Sequence, residues 1–175
     1  MTASIPGARV RPTTPADLDD LASLWNDGAV MTYVGFPDGL GVDKDAMAAW
    51  WRALTSNPDR QHRVIEHDEL GFCGEAYYAT GDGPVAVVDI KLAPGARGRG
   101  LGTLGLSSVL DELADGGRAE RAKVDPHRDN RAALRLYRRL GFRSAPWPPG
   151  EGDPDHVYLG VDLATRPWHA SPPAC

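Results

Sequence analysis

Four groups of residues in one stretch of this chain have the types and spacing to do chemistry. Arg97-Gly98-Arg99-Gly100-Leu101-Gly102 combines small residues with positive charge just where a helix begins. Backbone N–H groups and the positive end of a helix dipole can hold a pyrophosphate at such a place. Asp89 is an acid in the middle of an otherwise apolar run, Val85 to Leu92, and an unpaired carboxylate is costly to bury. Asn130 suits a helix N-cap, and Tyr137 lies seven residues on, nearly back on the same helical face. Ala133 falls between them and leaves room for a ligand arm.

Each group also has a plain structural explanation. Tyr137 can be a core aromatic, Asn130 a simple cap, and Asp89 a sheet-edge acid paired with an arginine. Gly100-Leu101-Gly102-Thr103-Leu104-Gly105 spells GxGxxG literally, with Asp125 twenty residues beyond Gly105, as in a dinucleotide-binding unit. Three features oppose that reading. A proline-containing loop separates the glycines from the preceding strand, the unit sits mid-chain after several other elements, and Arg97 and Arg99 flank the phosphate site. Glu75, one strand earlier, either shares an acceptor pocket or is solvated. Trp50 and Trp51 either pack a helix or line that pocket. His62, His67 and His127 lack the dense spacing of a zinc site, so no metal is expected. Cys73 reads as a small buried residue.

The surrounding elements follow from pattern. Arg9 to Arg11 is a short first strand, and Thr14-Pro15-Ala16-Asp17 opens a helix with Leu18, Leu21 and Trp25 on one face. Tyr33 to Gly41 is a loop. Asp43 caps a second helix, with Met47, Trp50 or Trp51, and Leu54 inward, ended by Asn57-Pro58. Strands run over Arg63 to His67, Phe72 to Thr80 and Val85 to Leu92, joined by turn-rich links. The helix after Gly102 buries Leu106, Val109, Leu110 and Leu113, and Gly116-Gly117 stops it. Arg121 to Val124 is a strand, Gly141 ends the helix begun at Asn130, and Phe142 restarts a strand. Val157, Leu159, Val161 and Leu163 alternate as a final strand. The region from Ala145 to Asp155 is an exposed connection. This order implies one α/β (α+β) domain, residues 1–165, with helices on both faces of a mixed sheet, and a loose tail over 166–175.

At 175 residues the chain suits a single domain. Its 42% apolar and 25% charged content is that of an ordinary globular protein. A net charge of −5 argues against general nucleic-acid binding but permits an acidic pocket for a cation. Two cysteines make no disulfide framework, and no apolar run or leader pattern points to a membrane. A cytoplasmic setting is expected.

The motifs from Val85 to Phe142, about a third of the chain, resemble the acetyl-CoA-binding core of the GNAT superfamily of N-acetyltransferases. Arg97-x-x-Gly100-x-Gly102 matches its Arg/Gln-x-x-Gly-x-Gly/Ala signature, and the preceding Leu92-x-Pro94 matches too. The resemblance implies a mostly antiparallel sheet of about six to seven strands, in which the Val85–Leu92 strand splays from its neighbour and bonds the pantetheine arm. It implies acetyl-CoA as co-substrate, held by Leu92, Pro94, Arg97, Gly98, Arg99, Gly100, Leu101, Gly102, Thr103, Asn130, Ala133 and Tyr137. Tyr137 would be the general acid that protonates the leaving thiolate, and a backbone N–H near Leu92 would stabilise the oxyanion. Asp89-Ile90-Lys91-Leu92 and Val124-Asp125-Pro126 look most like the aminoglycoside N-acetyltransferase branch. That likeness makes Asp89 catalytic or substrate-binding. Glu75, from its place in the neighbouring strand, and Trp50, because the family's first two helices flank the acceptor site, are further candidate acceptor contacts. The expected acceptor is a small cationic amine. A protein or peptide N-terminus, or a non-catalytic CoA-binding regulatory module, are the alternatives, and a homodimer is compatible with each.

Overall fold

A computed structural model describes residues 4–169. Strand β1 (Ala8–Pro12) leads into a 3-10 turn at Pro15–Asp17, helix α1 (Leu18–Trp25), and the short helix α2 (Gly28–Met31). A second 3-10 turn (Thr32–Val34) and helix α3 (Lys44–Thr55) precede the meander β2 (Arg60–His67), β3 (Gly71–Ala79) and β4 (Val85–Leu92). Helix α4 (Leu101–Gly116), strand β5 (Arg121–Val124) and helix α5 (Arg131–Arg139) follow, then β6 (Arg143–Ser144) and β7 (Leu159–Asp162). The seven strands form one sheet in the order β1-β2-β3-β4-β5-β7-β6. Only the β4–β5 pair is parallel.

The sheet's two faces carry different burdens. Ile65, Ala76, Tyr78, Ala86 and Val88 pack with Leu106, Val109, Leu110 and Leu113 of α4 in the main core. On the other side Leu21, Leu24, Trp25, Met31 and Met47 form a smaller cluster from α1, α2 and α3. Because strand side chains alternate, the residues between the core positions of β2, β3 and β4 share this second face. They include His62, Glu75, Tyr77, Asp89 and Lys91. On the α4 side the main polar contact is Arg63 with Glu112.

The helix starts behave as their capping residues dictate. Asp27 accepts from Ala29 N at 2.8 Å and Asp43 from Ala46 N at 2.9 Å. Thr14 begins the first helical segment, which runs as a 3-10 turn before becoming α-helical at Leu18. Leu106, Val109, Leu110 and Leu113 are buried as expected, and the left-handed Gly117 ends α4.

Several expectations need adjustment. The stretch taken as a loop from Tyr33 begins inside a 3-10 turn that continues α2, a helix of four residues with no apolar period to reveal it. The last strand is only four residues long, since Val157 and Leu163 lie beyond its pairing with β5. Phe142 is fully buried, but strand pairing starts one residue later at Arg143. Of the segment expected to be a loose tail, Pro167–His169 form a 3-10 turn. There Trp168 is buried and its Nε1 donates to Asp111 Oδ1 at 2.8 Å. The rest of that segment, 170–175, lies outside the described residues.

One irregularity shapes the strand that faces the chemistry. The β2–β3 register skips at Ile65/Glu66, so Gly74 pairs with Ile65, Phe72 with Glu66, and Cys73 is a bulge. Gly74 sits opposite Leu92, and a Cβ on it would overlap the Lys91 carbonyl oxygen. Gly74→Ala should therefore lower stability by about 1–3 kcal/mol, read as a fall in the urea unfolding midpoint with an unchanged slope.

Candidate active site

The site exists because β4 and β5 part company. Their parallel pairing covers only Val85–Val87 against Arg121–Lys123. Beyond it, β4 runs on to Leu92 while β5 gives way to Asp125-Pro126, where proline has no N–H to continue a ladder. The far half of β4 keeps its β3 neighbour but turns its other edge to a cavity of about 880 Å³.

Part of the cavity wall is a run of glycines at a helix start. Gly98 and Gly100 adopt left-handed backbone, with φ of 75° and 80°, which lets the chain turn sharply into the start of α4. Gly98, Gly100, Gly102 and Thr103 line this end. A Cβ at Gly102 would meet Leu136 at 3.2 Å and Leu92 at 3.4 Å, filling the space between α4, α5 and β4. The absence of side chains therefore keeps open a channel whose floor is a helix N-terminus. Arg97 braces this end, its Nε donating to Leu92 O and its Nη2 to Ala29 O, each at 3.2 Å.

Helix α5 supplies the opposite wall. Asn130 Oδ1 caps it by accepting from Ala133 N at 3.1 Å, which leaves the amide NH2 for the cavity. Ala133 and Tyr137 line the same wall one and two turns on. Tyr137 is 4% exposed, packed against Phe142, and makes no hydrogen bond through its hydroxyl among the described residues. Burial, with the Asp89 and Asp125 carboxylates nearby, raises its phenol well above the usual value. It therefore holds its proton at neutral pH.

The other end is lined by Tyr33, Val34, Tyr77, Asp89, Lys91, Asp125 and His127, with Trp147, Asp153 and His156 from the loop before β7. Asp89 pairs with Lys91 two residues along the same strand. Burial alone would lower the Lys91 ammonium, but Asp89 and Glu75 outweigh it and hold it above its ordinary value.

Among the residues singled out from sequence, Leu92, Arg97, Gly98, Gly100, Gly102, Thr103, Asn130, Ala133, Tyr137 and Asp89 all line this one cavity. Leu101 instead points into the core at 1% exposure, Arg99 Nε donates to Gly95 O, and Pro94 forms the 3-10 turn that aims the glycines. Glu75 is neither solvated nor part of the cavity lining. It is 1% exposed and bonded to Trp25 and His62. Trp50 packs edge-on to Trp25, ring centroids 4.9 Å apart, and also stays outside the lining. The expected arginine partner for Asp89 is in fact Lys91. Period-two alternation along β4 was the signal for it, since Asp89 and Lys91 must share a face. Tyr33 and Val34, in the 3-10 turn after α2, and His156, in the loop before β7, carried no comparable signal.

The fold and this arrangement define an acyl-CoA-dependent transferase, and comparison with known proteins agrees. Residues 8–143 match the acetyltransferase (GNAT) domain family. The chain belongs to that family. An N-acetyltransferase of Streptomyces griseus is 31% identical over 150 residues, covering 77% of this chain and 73% of its own. A phosphinothricin N-acetyltransferase of Streptomyces coelicolor is 31% identical over 143 residues, covering 77% of this chain and 81% of its own. Among solved structures, spermidine N-acetyltransferase from Vibrio cholerae, in complex with CoA and spermine, superposes with a TM-score of 0.78. It is 16% identical and covers 90% of this chain and 96% of its own, a likeness of fold. The protein is thus an acetyltransferase that uses acetyl-CoA and passes acetyl to an amine. Among the described residues no helix is long and apolar enough to cross a membrane.

We propose that the glycines at the start of α4 hold the cofactor's pyrophosphate. Gly100→Asp would add a carboxylate and a side chain at the helix start, where Ile5 already lies 3.1 Å from the position of a Cβ. Calorimetry should find acetyl-CoA binding abolished while the melting temperature shows a folded protein. Retained affinity would mean that the phosphates sit elsewhere.

Proposed function

We propose that this enzyme acetylates a primary amine of a small cationic molecule, by direct attack while both substrates are bound. The observation that carries the reading is one cavity holding an anion cradle at one end, Asp89 at the other, and the protonated Tyr137 along its wall. When bound, acetyl-CoA supplies an acetyl thioester, and the chain must position it, handle two protons and exclude water.

The cradle from Arg97 to Thr103 holds the pyrophosphate through backbone N–H groups, and the open edge of β4 offers N–H and C=O groups to the pantetheine arm. Asn130 directs its amide at the same arm. In this reading Tyr137 donates its hydroxyl proton to the departing sulfur. A free alkylamine titrates near ~10.4, so it arrives as an ammonium and must lose a proton before attack. Asp89 binds that ammonium and takes the proton directly or through water. The S. coelicolor relative's name, a phosphinothricin N-acetyltransferase, is consistent with a small amine acceptor.

The deciding experiment is an acetyl-CoA turnover assay, read by thiol release, against a panel of small amines, amino acids and N-terminal peptides. Small cationic amines should give the highest kcat/KM. A preference for peptides would overturn the acceptor class.

Tyr137→Phe should lower kcat by roughly ten- to a thousandfold, with acetyl-CoA affinity little changed. Unaltered turnover would mean that another group supplies the proton. Asp89→Asn keeps the size and removes the charge, so acetyl-CoA should still bind while turnover of amines collapses. Full activity in that variant would reduce Asp89 to a structural ion-pair member.

A further inference from the structure

Beneath the acceptor end of the cavity lies a buried polar group that the proposed chemistry leaves unused. Glu75, 1% exposed, accepts from Trp25 Nε1 at 2.9 Å and from His62 Nε2 at 2.5 Å. His62 is buried too, with Nδ1 2.7 Å from Thr13 Oγ1. Its ring is stacked on Tyr77 and edge-on to Trp50. Burial alone would raise the Glu75 carboxyl, but the His62 bond and the Lys91 charge outweigh it and hold the group at about 2. A charge this deep survives only with partners.

The third partner is what links this group to the site. Lys91 Nζ lies 3.4 Å from Glu75 Oε1 and also pairs with Asp89. One ammonium therefore serves two carboxylates, one under the floor and one facing the cavity. His62 and the Thr13 hydroxyl complete the line of contacts behind Glu75. The two carboxylates, Glu75 and Asp89, and the one ammonium, Lys91, sum to one negative charge. Arg60 lies over the Tyr77 ring, 4.2 Å from its centroid, and is not part of the cavity lining.

We infer that Glu75 is a positioning residue that sets the charge preference of the acceptor site. By sharing the Lys91 ammonium, it leaves the cavity-facing Asp89 carboxylate under-neutralised, so the floor favours cationic amines. The inference rests on the proposed amine acceptor and assigns its selectivity to a residue the acceptor never touches. Removing the Glu75 charge gives Lys91 wholly to Asp89 and makes the floor neutral. It leaves the thioester end of the cavity as it was.

The test uses the full chain loaded with CoA, with 1,4-diaminobutane as a dication and 4-aminobutanoate as a net-neutral amine of similar length. In Glu75→Gln the amide oxygen can still accept from Trp25. By calorimetry the diamine Kd should rise roughly tenfold, the size of one unit charge at short range in a partly screened site. The 4-aminobutanoate and CoA affinities should stay within about twofold, a change worth under half a kcal/mol. If the diamine is turned over, KM should rise with kcat nearly unchanged. Lys91→Gln is the complement of opposite sign, leaving both carboxylates uncompensated, so it should tighten diamine binding while 4-aminobutanoate again stays within about twofold. That variant decides the matter if Glu75→Gln does not fold. An unchanged diamine Kd in folded Glu75→Gln, a loss confined to kcat, or weaker diamine binding in Lys91→Gln would each overturn the inference. Absence of thiol release by the parent with every amine would instead refute the proposed acceptor, while the binding measurements still decide the role of Glu75.

Discussion

The structure turns on a hydrogen-bond ladder that stops early. In a sheet, each interior strand satisfies its backbone on both sides, and a buried edge without partners is expensive. Strand β4 is interior by position, yet past Val87 it has a neighbour on one side only. The other features of the site answer that vacancy. Helix α4 presents its N-terminus at the mouth of the opening, α5 lays small residues along it, and Pro126 keeps β5 from following β4. A ligand arm with amide groups is the natural complement of such an edge.

The second organising feature is the division of the sheet's faces. The α4 side of β2, β3 and β4 is mostly apolar apart from Arg63 and Tyr78, which bond Glu112, and Gly105 lets the helix descend onto Ile65. The opposite side carries a run of charge and aromatic rings under α1 and α3. A line of bonded groups runs there from Thr13 through His62 and Glu75 to Lys91 and Asp89. A bonded line of this kind is rigid, since moving one member strands another. It therefore fixes where the acceptor floor can be.

Much of this was legible in the residues. The glycine spacing after Leu92 and the Asn130–Tyr137 interval located both walls of one cavity, because local geometry decides them: helix caps, left-handed turns and a helical repeat. Turn chemistry placed β3 to within a residue and β4 as found, and the end of β2, but β2 starts at Arg60, three residues before the Arg63 expected. What escaped was set by tertiary contact. Glu75 reads as an ordinary acid until Trp25 and His62, fifty and thirteen residues away, are seen to bond it. The short helix α2 has no period to detect, and Trp168 looked like part of a loose tail because its partner Asp111 lies on α4. The same limit applies to Tyr33, carried by the short turn after α2, and to His156, carried by the loop before β7.

A sheet sewn together at one end of a strand pair and open at the other is, mechanically, a hinge. Three register pairs between β4 and β5 are the whole seam between the β1–β4 half and the β5–β7–β6 half. A ligand that binds this opening only in the folded chain would add to the resistance of the sheet to unfolding. By mass action the gain grows with the logarithm of ligand concentration over its dissociation constant. The cell's supply of the acyl carrier would then govern both how fast this protein works and how long each folded copy endures.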